Sequence, residues 1–236
     1  PDRLEHQVSF LNENPDLGLV SGLIESMKQP TEGFQKYLNW VNHVRQPKEI
    51  YLNQFVEYPI VNPAVMFRRE LFEKHGGYTS GEFPEDYEYF LRLIKAGVKM
   101  QKVDQTVLQW NDLPSRLTRT SPNYSEQAFN SVKSQYLADW LRIHNSHHPE
   151  IWVWGAGKQA RQKSQELQNH GVMIKGYIDV SDKEQSGDLP VVHFDEIHKP
   201  DRFIVSYVSN WGAREEIRKY LSKLGWEEGS HFILAG

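Results

Sequence analysis

Residues 151 to 236 alternate short apolar runs with helical patterns, and this alternation limits the fold more than any other feature of the chain. Ile151-Trp152-Val153-Trp154 reads as an apolar strand, and Gly155-Ala156-Gly157-Lys158-Gln159-Ala160 as a tight turn opening a helix to about His170. A second strand fits Val172 to Ile178 and ends at Asp179. Strands at Leu189 to Val192 and Phe203 to Val208, a helix from Ala213 to Leu224 and a last strand at Phe232 to Leu234 complete the pattern. Parallel strands need long crossovers, so this order predicts a parallel sheet layered between helices.

The preceding residues have a looser rhythm. Leu4, Val8 and Leu11 fall at helical spacing over residues 2 to 13, closed by Asn14-Pro15, and a strand fits Leu17 to Leu23. After a Pro30-Thr31-Glu32 break, Phe34, Tyr37, Leu38 and Val41 predict a helix to about Val44. Asn62 to Arg68 reads as a turn into a strand, Arg69 to Lys74 as a short helix stopped by Gly76-Gly77, and Val98 to Leu108 as a strand or pair of strands. A long helix fits Tyr124 to Ile143. His144-Asn145-Ser146-His147-His148-Pro149 separates the two regions, which sets the expected domains at 1–144 and 151–236 with a linker at 145–150. The three histidines there have no cysteine beside them, so the stretch reads as a polar hinge rather than a metal site.

Between those helices, Pro84-Glu85-Asp86-Tyr87-Glu88-Tyr89-Phe90-Leu91 sets an acidic pair at the start of an amphipathic helix. Local physics alone makes such a pair a cap or dipole partner. Its place at the helix end also lets a carboxylate face a cleft.

Composition narrows the function classes. A net charge of −4 and a pI of about 6.2 give no global basic field for nucleic acid or an acidic membrane. The absence of cysteine removes disulfides, thiolate metal sites and a cysteine nucleophile. No apolar run reaches the ~20 residues that span a bilayer, so we expect a soluble, cytoplasmic protein, compatible with peripheral association at the inner face of a membrane.

The segment Pro1-Asp2-Arg3-Leu4-Glu5-His6-Gln7-Val8 is followed by Leu11 and Asn14-Pro15-Asp16-Leu17-Gly18-Leu19-Val20. Asn62-Pro63-Ala64-Val65-Met66-Phe67-Arg68-Arg69, Gly76-Gly77-Tyr78, Pro84-Glu85-Asp86-Tyr87, Trp110 with Arg116-Leu117-Thr118-Arg119, and Tyr124-Ser125 come next. Each motif is short, but in their order and spacing they make about residues 1 to 140 resemble family-2 glycosyltransferases, which have the GT-A fold. The family's Asp-x-Asp occurs nowhere in the 236 residues. The expected fold is therefore α/β, an incomplete GT-A-like mixed region followed by a small Rossmann-like three-layer domain. The chain itself is expected to be truncated at its amino terminus and inactive alone.

The resemblance implies inverting transfer of a sugar from a nucleotide-sugar donor to a glycan or lipid-linked acceptor. It makes Asp86 the base that takes the acceptor hydroxyl proton, with Glu85 as its neighbour. It also implies a divalent cation, Mn²⁺ or Mg²⁺, at the donor phosphates, with no metal ligands in this chain. Arg116 and Arg119 are candidates for bidentate phosphate contact or for a solvated loop, and Trp110, like Trp40, for a sugar-stacking ring or a core residue.

In the second region, Gly155, Gly157 and Lys158 form a glycine-rich strand-to-helix turn, and Asp179 at the end of the next strand could take a ribose hydroxyl. The domain is short for a complete dinucleotide fold and Lys158 completes no P-loop, which favours a packing or nucleotide-sugar-binding role over NAD redox chemistry. The competing function is a non-catalytic nucleotide-binding or interaction module. Donor, acceptor and oligomeric state are not legible in the sequence.

Overall fold

A computed structural model describes residues 2–181 and 185–236, without the side chains of 185 and 186. Pro1, the first residue of the matched segment, lies outside the described residues. Backbone contacts divide the chain into two compact units, the first of residues up to 54 with 58–129, the second of 55–57 with 130–236. That division falls ahead of the polar stretch 145–150.

In the first unit α1 (Arg3–Glu13) leads into β1 (Leu17–Ser26), α2 (Glu32–His43) and α3 (Pro47–Leu52). Next come β2 (Met66–Phe67), α4 (Arg69–His75), α5 (Glu85–Lys95), β3 (Lys99–Trp110) and α6 (Leu117–Thr120), and α7 (Glu126–His144) continues into the second unit. The sheet order is β2-β1-β3. β1 runs parallel to β3, from Leu17 opposite Lys99 to Ser26 opposite Trp110, and antiparallel to β2. As the central strand β1 is buried on both faces over its first six residues, which is why that stretch holds apolar and small residues, Ser21 included, with no apolar–polar alternation. Residues 98–108, open between one strand and two, form the single strand β3, whose pairing with β1 is irregular in three places.

Beyond the reach of β2, the Asn42 side chain of α2 takes over the role of a partner strand. Its Oδ1 accepts from the Ile24 N–H at 2.9 Å and its Nδ2 donates to the Ile24 carbonyl at 2.8 Å. The core beneath joins Leu11, Val20, Ile24, Leu38, Val41 and Val107.

The buried face of α1 differs from the periodicity. Leu11 is buried, but Leu4 and Val8 are 62% and 46% exposed. Gln7 occupies the inward position, fully buried, with Nε2 donating to the Ala64 carbonyl at 2.9 Å and Oε1 accepting from Arg3 Nε at 3.0 Å. The inward position therefore needs an amide, because a carbonyl of the 3-10 turn Asn62–Ala64 lies opposite it. α3 carries no long apolar period and begins with Pro47 at its first turn, where the Glu49 carboxylate accepts from the Gln46 N–H at 3.0 Å.

The second unit contains β4 (Glu150–Trp154), α8 (Lys158–Gln165), β5 (Met173–Asp179), β6 (Gln185–Ser186), β7 (Leu189–His193), β8 (Ile204–Ser206), α9 (Ala213–Lys223) and β9 (Phe232–Leu234). Five strands are parallel in the order β7-β5-β4-β8-β9, with β6 antiparallel at the edge. The chain winds outward from β4 through β5 to β7, then returns to β8 and β9 on the other side. This is the α/β, Rossmann-like arrangement expected from the alternation, and it places a topological switch point between β4 and β8. The helix beginning at Lys158 turns 3-10 from Glu166 to His170 and is stopped by left-handed Gly171.

From α7, Lys133 donates to the Ala235 carbonyl at 3.0 Å and ties the helix to the end of the chain. The polar stretch after α7 forms a turn built on buried Asn145, which donates to the Glu150 carbonyl at 2.9 Å and accepts from the His147 N–H at 2.8 Å. His144 stacks on Trp140 at 4.4 Å. No described helix is long and apolar enough to cross a membrane.

Candidate active site

The start of α5 follows from its sequence. Pro84 sits in extended backbone as the capping residue, and Tyr87, Phe90, Leu91 and Ile94 turn into the core. Glu85 and Asp86 are thereby left half-buried in the first turn.

The two carboxylates have different partners. Glu85 Oε1 accepts from the Tyr124 hydroxyl at 2.7 Å. Asp86 Oδ1 accepts from the Tyr87 backbone N–H at 2.8 Å. Burial pushes the Asp86 carboxyl up to about 6, the Tyr87 N–H opposes the shift, and the Glu85 charge adds to it. Such a group is ionised at neutral pH yet holds a proton more readily than an ordinary carboxylate.

Three phenols surround the pair. Burial, and after it the Asp86 charge, holds the Tyr58 hydroxyl well above the usual tyrosine range. Tyr78 is raised by burial against its hydrogen bond to Asn62, with Asp86 and Glu85 contributing, and its hydroxyl donates to Asn62 Oδ1 at 2.7 Å. Tyr124 is raised by burial, by its bond to Glu85 and by the Asp86 charge. Asn62, Tyr78, the Glu85-Asp86 pair and Tyr124, from four separate short motifs, thus come together around one helix start. Tyr58, absent from every motif, joins them through ring contacts to Tyr87 at 5.6 Å and Phe90 at 5.1 Å.

One turn further along α5, Glu88 and Arg92 fix the loop that carries Tyr78. Arg92 Nε and Nη2 donate to the two Glu88 oxygens at 3.0 and 2.9 Å, Nη2 also donates to the Gly77 carbonyl at 2.7 Å, and Thr79 donates to Glu88 at 3.0 Å. Gly77 fits because a Cβ there would stand 2.3 Å from the Phe72 ring.

Arg116 and Arg119 both pair with Asp112, at 2.9 Å to Oδ1 and 2.7 Å to Oδ2. Arg116 also lies over the rings of Trp110 at 5.3 Å and Phe34 at 5.6 Å. Trp110 and Trp40 are partly buried against the core of the first unit. Tyr37 links this group to the acidic site: its ring is 6.3 Å from Trp110, and its hydroxyl is 3.5 Å from the Tyr58 carbonyl oxygen.

In the second unit the residues of the glycine-rich turn also meet. Gly155 has φ +113°, and a Cβ there would sit 3.1 Å from the Ala160 methyl, so both backbone and packing call for glycine. Asp179 Oδ2 accepts from the Ala156 N–H at 2.6 Å and Oδ1 from the Ser181 N–H at 3.1 Å. The carboxylate expected at a ribose hydroxyl is therefore engaged in holding the turn. Among the described residues no three His, Cys, Asp or Glu side chains group as metal ligands.

No protein-family model matches the chain. No solved structure matches it. Over 145 residues the chain is 27% identical to the O-antigen biosynthesis glycosyltransferase WbnJ of Escherichia coli, an alignment covering 60% of this chain and 52% of that protein. The chain spans about half the length of this curated relative, and the relationship is to a glycosyltransferase.

Proposed function

We propose that the first unit is the acceptor-side part of a GT-A-type, family-2 glycosyltransferase of hexosyltransferase type, acting in polysaccharide biosynthesis. In this reading residues 1–144 belong to the transferase domain and 151–236 form an accessory domain. The donor is a nucleotide sugar and the acceptor a glycan or lipid-linked hydroxyl compound. The supporting observation is the half-buried Asp86 at the start of α5, its proton affinity raised by burial and its neighbour Glu85 already held by Tyr124.

Asp86 accepts the proton of the acceptor hydroxyl as that oxygen attacks the anomeric carbon. The new C–O bond forms on the face opposite the departing nucleoside diphosphate, so configuration inverts. Burial favours Asp86 in this role because a pKa near the working pH combines ionisation with proton affinity. Arg116 and Arg119 are suited to the departing phosphates once Asp112 gives them up.

The resemblance brings a divalent cation to the donor phosphates, and the described carboxylates form no centre that would hold it. With no Asp-x-Asp in its sequence, the 236-residue chain alone is expected to turn over little donor.

The test is Asp86→Asn in the full-length protein, assayed with UDP- and GDP-sugars. Turnover should fall by about 100-fold or more with donor affinity little changed. Wild-type turnover would remove Asp86 from the reaction.

A further inference from the structure

The second unit has a cavity of about 840 Å³ at the carboxyl ends of β4, β5 and β8, over the switch point of its parallel sheet. That is ample room for a ligand of nucleotide size. Its walls differ in chemistry. Trp154, Phe194 and Tyr220 form an aromatic side, with ring centroids 5.3 to 6.4 Å apart. Opposed to it in character is the first turn of α8, preceded by Gly157, which has no side chain to accept the turn's N–H groups. Lys158, Lys219 and Lys223 line the same cavity against Glu216, and Asp179 is occupied by backbone N–H groups.

Gly157 is the informative residue. Unlike Gly155, it has φ −67°, open to any residue, and a Cβ there would meet nothing within 4 Å. Neither the backbone nor the packing of this chain requires glycine at that point. The space in front of the helix start is open, and the missing side chain lets an anion approach the N–H groups.

We propose that this cavity is a second ligand site, for a nucleoside diphosphate, with the phosphates at the Gly157 turn beneath the lysines and the base against the Phe194 and Tyr220 rings. It is separate from the acidic site of α5 and does not rest on the transferase reading. The Asp179 carboxylate holds the turn that carries the phosphates, and the site reads the phosphates and the base.

The test is calorimetry on the 236-residue chain with UDP, ADP, NAD and inorganic pyrophosphate, together with amide hydrogen exchange in the presence of the tightest ligand. UDP or ADP should bind saturably at one site, with protection at residues 156–160 and 207–210. Gly157→Val should weaken binding by about tenfold or more and leave the melting temperature within about 2 °C. Should that variant fold poorly, Lys219→Glu on the exposed face of α9 supplies the same reading. No saturable heat at millimolar ligand would overturn the proposal. So would protection confined to the neighbourhood of residues 85–86, or binding indifferent to both substitutions. Pyrophosphate binding as tightly as UDP and ADP would also overturn it, as would NAD binding more tightly than either.

Discussion

The Tyr124 hydroxyl donates to Glu85 Oε1 at 2.7 Å, while Asp86 beside it accepts only the short backbone bond from Tyr87 among the bonds described. Two adjacent carboxylates are thereby made unequal: one is tied to a side chain and the other is left to face incoming protons. Tyr124→Phe removes that inequality. The Glu85 charge loses its hydroxyl partner and bears more fully on Asp86, whose carboxyl it already raises, so Asp86 takes up its proton at higher pH. The acid limb of kcat/KM should move upward and kcat fall by about tenfold, with donor KM unchanged, at a stability cost of about 1–2 kcal/mol. An unmoved limb would show that Tyr124 only packs.

Asp86 carries a stability cost of its own. Its carboxyl titrates near 3.8 when unfolded and at about 6 when folded. Between those values the folded state binds more protons, so stability falls as pH rises through the window and the full cost is present above 6. At about 1.4 kcal/mol per unit the cost is at most about 3 kcal/mol. Asp86→Asn should therefore raise the melting temperature at pH 7 and give no gain at pH 3.5. Equal effects at both pH values would show that burial does not shift this group.

Asp112 holds both candidate phosphate arginines. If their task is the departing diphosphate, Asp112→Asn frees them and should tighten pyrophosphate binding by a few-fold at low salt. If their task is to hold the loop 111–120, the same change should lower the melting temperature and leave pyrophosphate affinity where it was. Affinity and melting temperature, measured on one variant, separate the two.

Much of the fold is legible because burial and periodicity agree. In α5 the inward residues Tyr87, Phe90, Leu91 and Ile94 are all apolar or aromatic, and in the second unit the five parallel strands are short, mainly apolar runs. Legibility fails where a polar group has an inward task. Gln7 is buried because a backbone carbonyl needs a donor, and hydrophobic spacing cannot show that. α3 is set by capping at Gln46 and Glu49 rather than by an apolar stripe. At the acidic site, motif order named Glu85 and Asp86, but Tyr58 approaches them from 27 residues upstream of Glu85 through ring packing, with no local signal. Asp179 was legible as a carboxylate at a strand end. Its engagement with the Ala156 N–H depends on the register of β5 beside β4.

Lys102 gives the last prediction. It lies on β3, 3% exposed, with its ammonium donating to the Val41 carbonyl. Burial, reinforced by the Arg45 charge and opposed by Glu49, lowers its pKa from 10.5 to about 7. Between those values the unfolded chain binds the additional proton, so this residue makes the fold more stable as pH rises from 7 towards 10.5. Lys102→Met keeps the apolar stem and removes the buried charge. The Val41 carbonyl loses a donor, at about 1 kcal/mol, but burying an ammonium costs more than that. The variant should melt higher than the parent at pH 7, and the difference should shrink as pH approaches 10. A difference constant across that range, or a variant less stable at pH 7, would mean that the Lys102 bond to Val41 outweighs the cost of its charge.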